Sequence, residues 1–216
     1  MQLSITLILT IVTVLVSIGG FSNQKLVDDL IFYPPALSQR NQWYRLFTCG
    51  FIHADFGHLF FNMLALYLFG STVEASFMSL FGDMGKWLYL LMYLTALAVS
   101  ILPTYFKNKY NYHYKSLGAS GAVSAVIFAS LLFNPTMQLY VYFFPMRGFI
   151  FAPLYLILSS VMDKKGGDNI NHSAHLWGAL YGFAFILLAA RIVDYPILQN
   201  AIQEVQYYLQ SKGWIN

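Results

Sequence analysis

A serine flanked by small residues opens one of the apolar runs of this sequence, within the stretch Gly118-Ala119-Ser120-Gly121. A hydroxyl at a helix start lies near the positive end of the helix dipole, where an oxyanion is stabilised. By itself, this pattern more often marks a surface where two membrane helices pack closely than a nucleophile. Its interpretation therefore depends on the histidines and the asparagine in the other apolar runs.

Chemically active side chains recur near the start of two further apolar runs. His58 and Asn62 are four residues apart, so both lie on one face of a predicted helix. His175 lies near the start of the last long run. A histidine beside Ser120 would suit nucleophilic catalysis, because a serine hydroxyl is a poor nucleophile until a base takes its proton.

Small residues supply a way to bring Ser120 and His175 together. Gly178 and Gly182 follow His175 at the i+3 and i+7 positions, so they share its helical stripe. Gly121 offers a similar small surface beside Ser120. Two such faces allow close helix contact, which would bring the imidazole within hydrogen-bond distance of the hydroxyl.

Composition places this chemistry in a membrane. Of the 216 residues, 58% are hydrophobic and 10% are charged, against about 25% charged in typical soluble domains. The mean hydropathy of +0.57 and several runs of bilayer-spanning length predict a polytopic membrane protein. The net charge of +3 is too small and too scattered to predict nucleic-acid binding. The single Cys49 excludes an intrachain disulfide.

Six apolar runs predict six transmembrane helices in one all-α bundle, over residues 3–20, 57–80, 85–103, 117–134, 148–162 and 172–190. The stretch between the first two runs is too polar to cross but rich in aromatic residues, which predicts a structured first loop partly embedded at the membrane interface. Apolar residues recur at helical spacing after Pro196, which predicts an amphipathic surface helix. The predicted units are a six-helix domain over residues 1–191 and that C-terminal helix over residues 192–216.

Helix direction explains why the polar residues should meet. Alternate membrane helices run in the same direction, so the second, fourth and sixth begin on one side of the bilayer. Their first turns contain His58, Asn62, Ser120 and His175, which at about 1.5 Å per residue lie within roughly 10 Å of one surface. His175 is then the general base, and Asn62, His58 and the Ser120 backbone N–H are candidate oxyanion donors.

Several of these polar residues also have a purely structural interpretation. An intramembrane histidine can bond a neighbouring carbonyl, and Asn62 can join two helices by a hydrogen bond. Glu74 is predicted to be a structural hydrogen-bonding group. His53 and His113 are predicted to be ordinary loop or interface histidines.

Together these motifs resemble the rhomboid intramembrane serine proteases. The matching stretches are His53-x4-His58-x3-Asn62, Gly118-Ala119-Ser120-Gly121, Ala174-His175-x2-Gly178-x3-Gly182, and Trp43-Tyr44-Arg45 with a tyrosine inserted into the family's Trp-Arg pair. The resemblance implies a six-helix fold without cofactor or metal, acting on transmembrane protein substrates in the lipid bilayer. It also implies Ser120 as nucleophile and His175 as base, with Asn62 and His58 at the oxyanion hole. The predicted supporting residues, which hold the first loop or let helices approach, are Arg45, Glu74, Gly118, Gly121, Gly178 and Gly182.

Two features depart from the family. Many relatives carry an aromatic residue four positions after the serine, stacked on the histidine ring, where this chain has Ser124. The family's outward-facing active site would also place most basic residues outside, whereas the positive-inside rule favours the opposite orientation. We follow the family and expect a multi-pass protein of a bacterial inner (plasma) membrane with an outward-facing active site.

The catalytic groups leave alternatives open. No carboxylate is near His175 in the sequence, which predicts a Ser-His dyad, while a contribution from Asp163 or Asp168 stays open. His58, His172 and His175 could instead gather round a metal ion, although the chain lacks an H-E-x-x-H motif. The non-enzymatic alternative is a rhomboid-like protein that binds membrane clients without cutting them.

Overall fold

The computed structural model describes residues 4–141, 143–168 and 170–215. Its helices are α1 (Ile5–Ser22), α2 (Gln24–Leu30), α3 (Pro34–Arg40), α4 (Arg45–Thr48), α5 (Phe56–Phe81), α6 (Met84–Asn108), α7 (Ser120–Phe133), α8 (Gly148–Lys165), α9 (His172–Ile192) and α10 (Ile197–Ser211). A 3-10 turn, Cys49–Phe51, follows α4. A hairpin of β1 (Gln138–Val141) and β2 (Phe144–Arg147) precedes α8.

Four of the described helices are long and apolar enough to cross a membrane, namely α1, α5, α6 and α9. The prediction of a helical, multi-pass membrane protein is confirmed. The helix α7 is apolar but only 14 residues long, and α8 ends in Asp163-Lys164-Lys165. The exact count of six spans therefore stays a prediction.

One local expectation was wrong. The helix α6 continues through Pro103 to Asn108, so the third helix does not end at the proline. A proline is tolerated inside a membrane helix when neighbouring groups satisfy the carbonyl that loses its partner. The connector before α8 forms a hairpin in which Gln138 pairs with Arg147. Arg147 also donates to the Tyr208 hydroxyl of α10 (3.1 Å), which holds the C-terminal helix against the hairpin.

The polar stretch before α5 is folded, as expected for a structured first loop. Arg45 is buried, and its guanidinium donates to the backbone carbonyls of Asp28 (2.7 Å) and Ile31 (2.8 Å). Phe32 and Leu37 are fully buried in an apolar cluster with residues of α6. Arg45 thus joins α4 to the end of α2, in the part of the chain where the resemblance places its supporting role.

Glu74 of α5 accepts hydrogen bonds from the start of α1. The backbone N–H groups of Ile5 and Thr6 donate to its carboxylate at 2.7 and 3.0 Å. The hydroxyls of Ser4 and Thr6 donate at 2.6 and 2.8 Å. The first N–H groups of a helix have no acceptor within the helix, so this carboxylate caps α1 and also faces the positive end of its dipole.

The bundle is centred on α7, which packs against α5, α6 and α9 and buries most of its side chains. In contrast, α8 lies at the edge and packs against α9 and α7. Of the residues of α8, only Gly148 and Ser159 are buried. A helix with few buried contacts is displaced at low free-energy cost, so α8 is held less firmly than the central helices.

Candidate active site

The serine of α7 and the histidine of α9 meet in the structure. Ser120 is the first residue of α7, and His175 lies in the first turn of α9. His175 Nε2 is 2.7 Å from Ser120 Oγ, which is hydrogen-bond distance. With Ser120 as the donor, Nε2 is the unprotonated nitrogen that can take the hydroxyl proton.

Close packing of α7 on α9 makes this contact possible. A Cβ at Gly178 would lie 2.0 Å from the Gly121 carbonyl oxygen, and one at Gly182 would lie 2.1 Å from the Ala125 carbonyl oxygen. A Cβ at Gly121 would lie 2.3 Å from Ser100 Oγ of α6. These distances are far below ordinary van der Waals contact, so only glycine fits at the three positions without a shift of the backbone.

The first loop anchors the segment that leads into Ser120. Ser116 and Phe32 exchange two backbone hydrogen bonds, at 3.0 and 3.1 Å. The Gly118 N–H then donates to the Cys49 carbonyl at 2.9 Å. These bonds join residues far apart in the sequence, so the start of α7 is positioned by the first loop.

His53 is a structural residue of the site that sequence reasoning missed. It is buried rather than an ordinary loop histidine, and its Nε2 accepts a hydrogen bond from the Ala119 N–H at 3.3 Å. This network assigns the proton to Nδ1, which then donates to Ser17 Oγ at 2.9 Å. Ser17 Oγ donates in turn to the Phe51 carbonyl at 3.0 Å. Burial lowers the pKa of His53 to about 3, so the ring is neutral beside the residue that precedes Ser120.

His58 packs against the backbone of Gly118. A Cβ at Gly118 would lie 2.6 Å from His58 Cε1, and Gly118 also has a φ of +114°, which favours glycine. The His53 and His58 rings are in edge-to-face contact with centroids 4.9 Å apart. Gly118 is therefore required both by its own backbone conformation and by the histidine beside it.

Both helices that flank Ser120 begin with a side-chain cap. The Asp55 carboxylate accepts from the His58 N–H at 2.8 Å at the start of α5. Asn171 Oδ1 accepts from the Ala174 N–H at 3.1 Å and from Thr104 Oγ1 of α6 at 3.0 Å at the start of α9. These caps define where each helix begins, and hence the depth of its histidine.

The four predicted site residues line one cavity of about 690 Å³, together with residues of α6 and α8. Asn62 Nδ2 donates one hydrogen bond to the His58 carbonyl of its own helix, at 2.9 Å. An amide has a second N–H, and the first N–H groups of α7, including that of Ser120, have no acceptor within the helix. The cavity therefore has several donors near the serine hydroxyl.

The position that carries an aromatic residue in many rhomboids is engaged differently. Ser124 Oγ lies 2.6 Å from the Tyr155 hydroxyl of α8, and the Tyr155 ring packs on Phe128 with centroids 5.5 Å apart. Tyr155 also lines the cavity. This hydroxyl pair joins the loosely packed α8 to the central helix.

Within the described ranges, no carboxylate oxygen lies within 4.0 Å of His175. Asp168 instead contacts His172, whose Nε2 is 2.9 Å from Asp168 Oδ2. No group of three or more His, Cys, Asp or Glu side chains placed to hold a metal ion is found among the described residues.

Similarity to known proteins is extensive. Residues 40–192 match the family model described as the Rhomboid domain. RHOMBOID-like protein 12, mitochondrial, of Arabidopsis thaliana is 30% identical over 145 residues, which cover 62% of this chain and 43% of that protein. Putative rhomboid protease YdcA of Bacillus subtilis is 29% identical over 152 residues, 69% of each chain. Rhomboid protease GluP of the same organism is 28% identical over 168 residues, 76% of this chain and 30% of that protein. The matched part of this chain thus spans less than half the length of RHOMBOID-like protein 12 and of GluP.

Proposed function

The chain belongs to the rhomboid family, and from that premise we propose that it is an intramembrane serine endopeptidase. It cleaves peptide bonds in or near the transmembrane segments of membrane proteins. The observation that carries the proposal is the 2.7 Å distance between His175 Nε2 and Ser120 Oγ, at the wall of a cavity large enough for a peptide segment. The names of the two Bacillus subtilis relatives, Rhomboid protease GluP and Putative rhomboid protease YdcA, support the same activity.

The reaction proceeds through an acyl-enzyme. His175 takes the Ser120 proton as Oγ attacks the carbonyl carbon of the scissile bond, and the carbonyl electron pair moves to the oxygen. The C–N bond then breaks as His175 passes its proton to the leaving amine, which leaves an ester on Ser120. A water molecule deprotonated by His175 hydrolyses that ester and regenerates the free hydroxyl.

Charge on the tetrahedral oxygen is stabilised by the donors near Ser120. These are the Ser120 backbone N–H at the start of α7, the second N–H of Asn62, and the His58 ring. The α7 dipole favours the negative charge at the same place. Arg45 and Glu74 act at a distance, by holding the first loop and the start of α1 in position.

Membrane substrates reach the site after local unwinding. The carbonyls of an intact helix are bonded internally, so the cleaved segment must become extended. Glycine near the scissile bond eases this step, because it disfavours a helix by about 1 kcal/mol relative to alanine. The substrate enters after α8, which buries few residues, is displaced. Gly166 and Gly167 form the hinge for this motion. Both glycines have a positive φ, and no atom lies within 4 Å of the position that a Cβ would take at either one.

A fluorophosphonate that labels activated serines tests the proposed nucleophile. The wild-type chain in detergent is expected to be labelled, whereas Ser120→Ala and His175→Ala are not. Ser130→Ala is the matched control, since Ser130 is a buried serine of the same helix outside the cavity. Labelling that persists in Ser120→Ala identifies another nucleophile, and a folded wild-type chain that is not labelled indicates the non-catalytic alternative. Activity that survives Ser120→Ala but is lost with a chelator would indicate the metal-dependent one.

A cross-link between α5 and α8 tests the entry route. Cysteines at Phe61 and Tyr155, which line the same cavity, are joined by a flexible bifunctional thiol reagent. Burial raises the pKa of the native Cys49 thiol to about 12, but Cys49 lines the same cavity, so the pair is introduced into a Cys49→Ala chain. Cleavage of a membrane substrate is expected to stop while a short soluble peptide is still cut. Undiminished cleavage of the membrane substrate after complete cross-linking rejects the gate.

The orientation of the protein in the membrane is tested by labelling cysteines introduced on the two sides of the bundle. We propose a bacterial plasma membrane with the cavity opening outward, as the family resemblance implies; two of the relatives come from the bacterium Bacillus subtilis, whereas RHOMBOID-like protein 12 is named as mitochondrial. Lys115→Cys lies in the loop before Ser120, and Lys86→Cys lies at the other end of α6. A membrane-impermeant maleimide applied to intact cells is expected to label only the first. The reverse pattern would support the orientation favoured by the positive-inside rule.

A further inference from the structure

The ring that contacts His175 comes from its own helix. Ser124 carries no ring, and its hydroxyl is engaged with Tyr155 of α8. The His175 ring instead contacts the His172 ring, with centroids 5.9 Å apart and planes at 81°. This edge-to-face arrangement is one that aromatic rings favour.

A carboxylate holds His172 in turn. Its Nε2 lies 2.9 Å from Asp168 Oδ2, and an ionised carboxylate only accepts, so Nε2 carries the proton. The hydrogen bond from His172 lowers the pKa of Asp168, and the carboxylate is ionised at neutral pH in any case. Asp168 Oδ1 also accepts from the Ile170 N–H at 3.3 Å. The His172 side chain is 14% exposed and thus largely enclosed.

We propose that His172 is a positioning residue for His175, and that Asp168 holds the His172 ring in the orientation that does this. The inference rests on the proposed function, since it assigns a support to the proposed base. A ring packed against His175 restricts rotation of the imidazole, so that Nε2 stays directed at Ser120 Oγ. No hydrogen bond joins the two imidazoles in the described part of the chain, so Asp168 acts on the geometry of the base and not as a member of a proton relay.

Two residues three apart on a helix are neighbours in any case. The experiment must therefore show whether the His172 ring orients His175 or merely lies beside it. The rate of Ser120 labelling by a fluorophosphonate is measured in the full chain. His172→Ala is expected to slow labelling by up to about 100-fold, the cost of a misplacement of about 1 Å. His172→Phe keeps a ring without the Asp168 bond and should regain most of the lost rate.

Two acidic variants make a matched pair. Asp168→Asn removes the charge that holds His172 and should slow labelling by less than His172→Ala does. Asp83→Asn removes a charge just before α6, outside the cavity, and should leave the rate unchanged. With a peptide substrate, His172→Ala should lower kcat and leave KM unchanged, because only the alignment of the base is lost. Thermal unfolding of each variant shows that it is folded.

The result that overturns the positioning role is a folded His172→Ala chain labelled at the wild-type rate, or a His172→Phe chain as slow as the alanine variant. Either outcome leaves the proposed function intact, because the difference between wild type and Ser120→Ala remains. A wild-type chain that is never labelled overturns the proposed function and the positioning role with it.

Discussion

Gly178→Ala is expected to move α9 away from α7 and disable Ser120. The added Cβ would lie 2.0 Å from the Gly121 carbonyl oxygen, whereas ordinary van der Waals contact begins at 3.4 Å. The two backbones must separate by about 1.4 Å, because a close-packed interior has no space to absorb the overlap. Added to the 2.7 Å between His175 Nε2 and Ser120 Oγ, a displacement of this size gives about 4 Å, beyond the hydrogen-bond range of about 3.2 Å.

Gly178→Ala should lower the stability of the chain only slightly but its activity strongly. Alanine favours a helix over glycine by about 1 kcal/mol, while overpacking a filled site costs about 1–3 kcal/mol. The free energy of unfolding should therefore fall by no more than about 2 kcal/mol, and the variant stays folded. A misplacement of about 1 Å in the base lowers the rate by about 100-fold.

The assay compares fluorophosphonate labelling rate and thermal unfolding midpoint in detergent. Gly19→Ala is the matched control, since its Cβ would lie 3.4 Å from Leu26 Cδ2, which is ordinary contact. That variant has the same gain in helix propensity without the clash, so its labelling rate should equal that of the wild type. A Gly178→Ala chain with the wild-type labelling rate would refute the reasoning that helix proximity sets the Ser120–His175 contact.

Three further predictions follow from contacts elsewhere in the chain. Tyr155→Phe removes the hydrogen bond to Ser124 that joins α8 to α7. Interhelical hydrogen bonds in membranes average about 0.6 kcal/mol, so cleavage of a membrane substrate should rise about 3-fold, and Ser124→Ala should give the same increase. A double variant that is faster than either single variant would contradict the idea that both changes remove one shared hydrogen bond. Glu74→Gln leaves N–H donors of α1 less well satisfied and should cost about 1–3 kcal/mol of unfolding free energy, measured by thermal unfolding, with the labelling rate per folded molecule unchanged. Burial lowers the pKa of His53 to about 3, so between pH 6.5 and 3 the unfolded chain binds a proton that the folded chain excludes, and stability falls as the pH falls. The loss from pH 7 to pH 5 should be about 2 kcal/mol; His53→Gln should show a shallower pH dependence of its unfolding midpoint, and equal slopes would contradict the neutral buried ring.

The helices and the side on which the site residues lie could be predicted from the sequence. Hydrophobic runs and small-residue stripes are local properties of the chain, and membrane helices alternate in direction. These two facts place His58, Asn62, Ser120 and His175 at one depth without any tertiary information. Helix ends were less predictable, since Pro103 lies inside α6 and not at its end.

Only the tertiary structure decided which side chains support that site. His53 reaches the Ala119 N–H across 66 residues, and Glu74 caps α1 across 69. The contact of His172 with His175 depends on side-chain orientation, which the spacing of two residues does not specify. Periodicity records which face of a helix is apolar, but a hydrogen bond between distant segments depends on how whole helices pack, and that packing is settled only when the bundle folds.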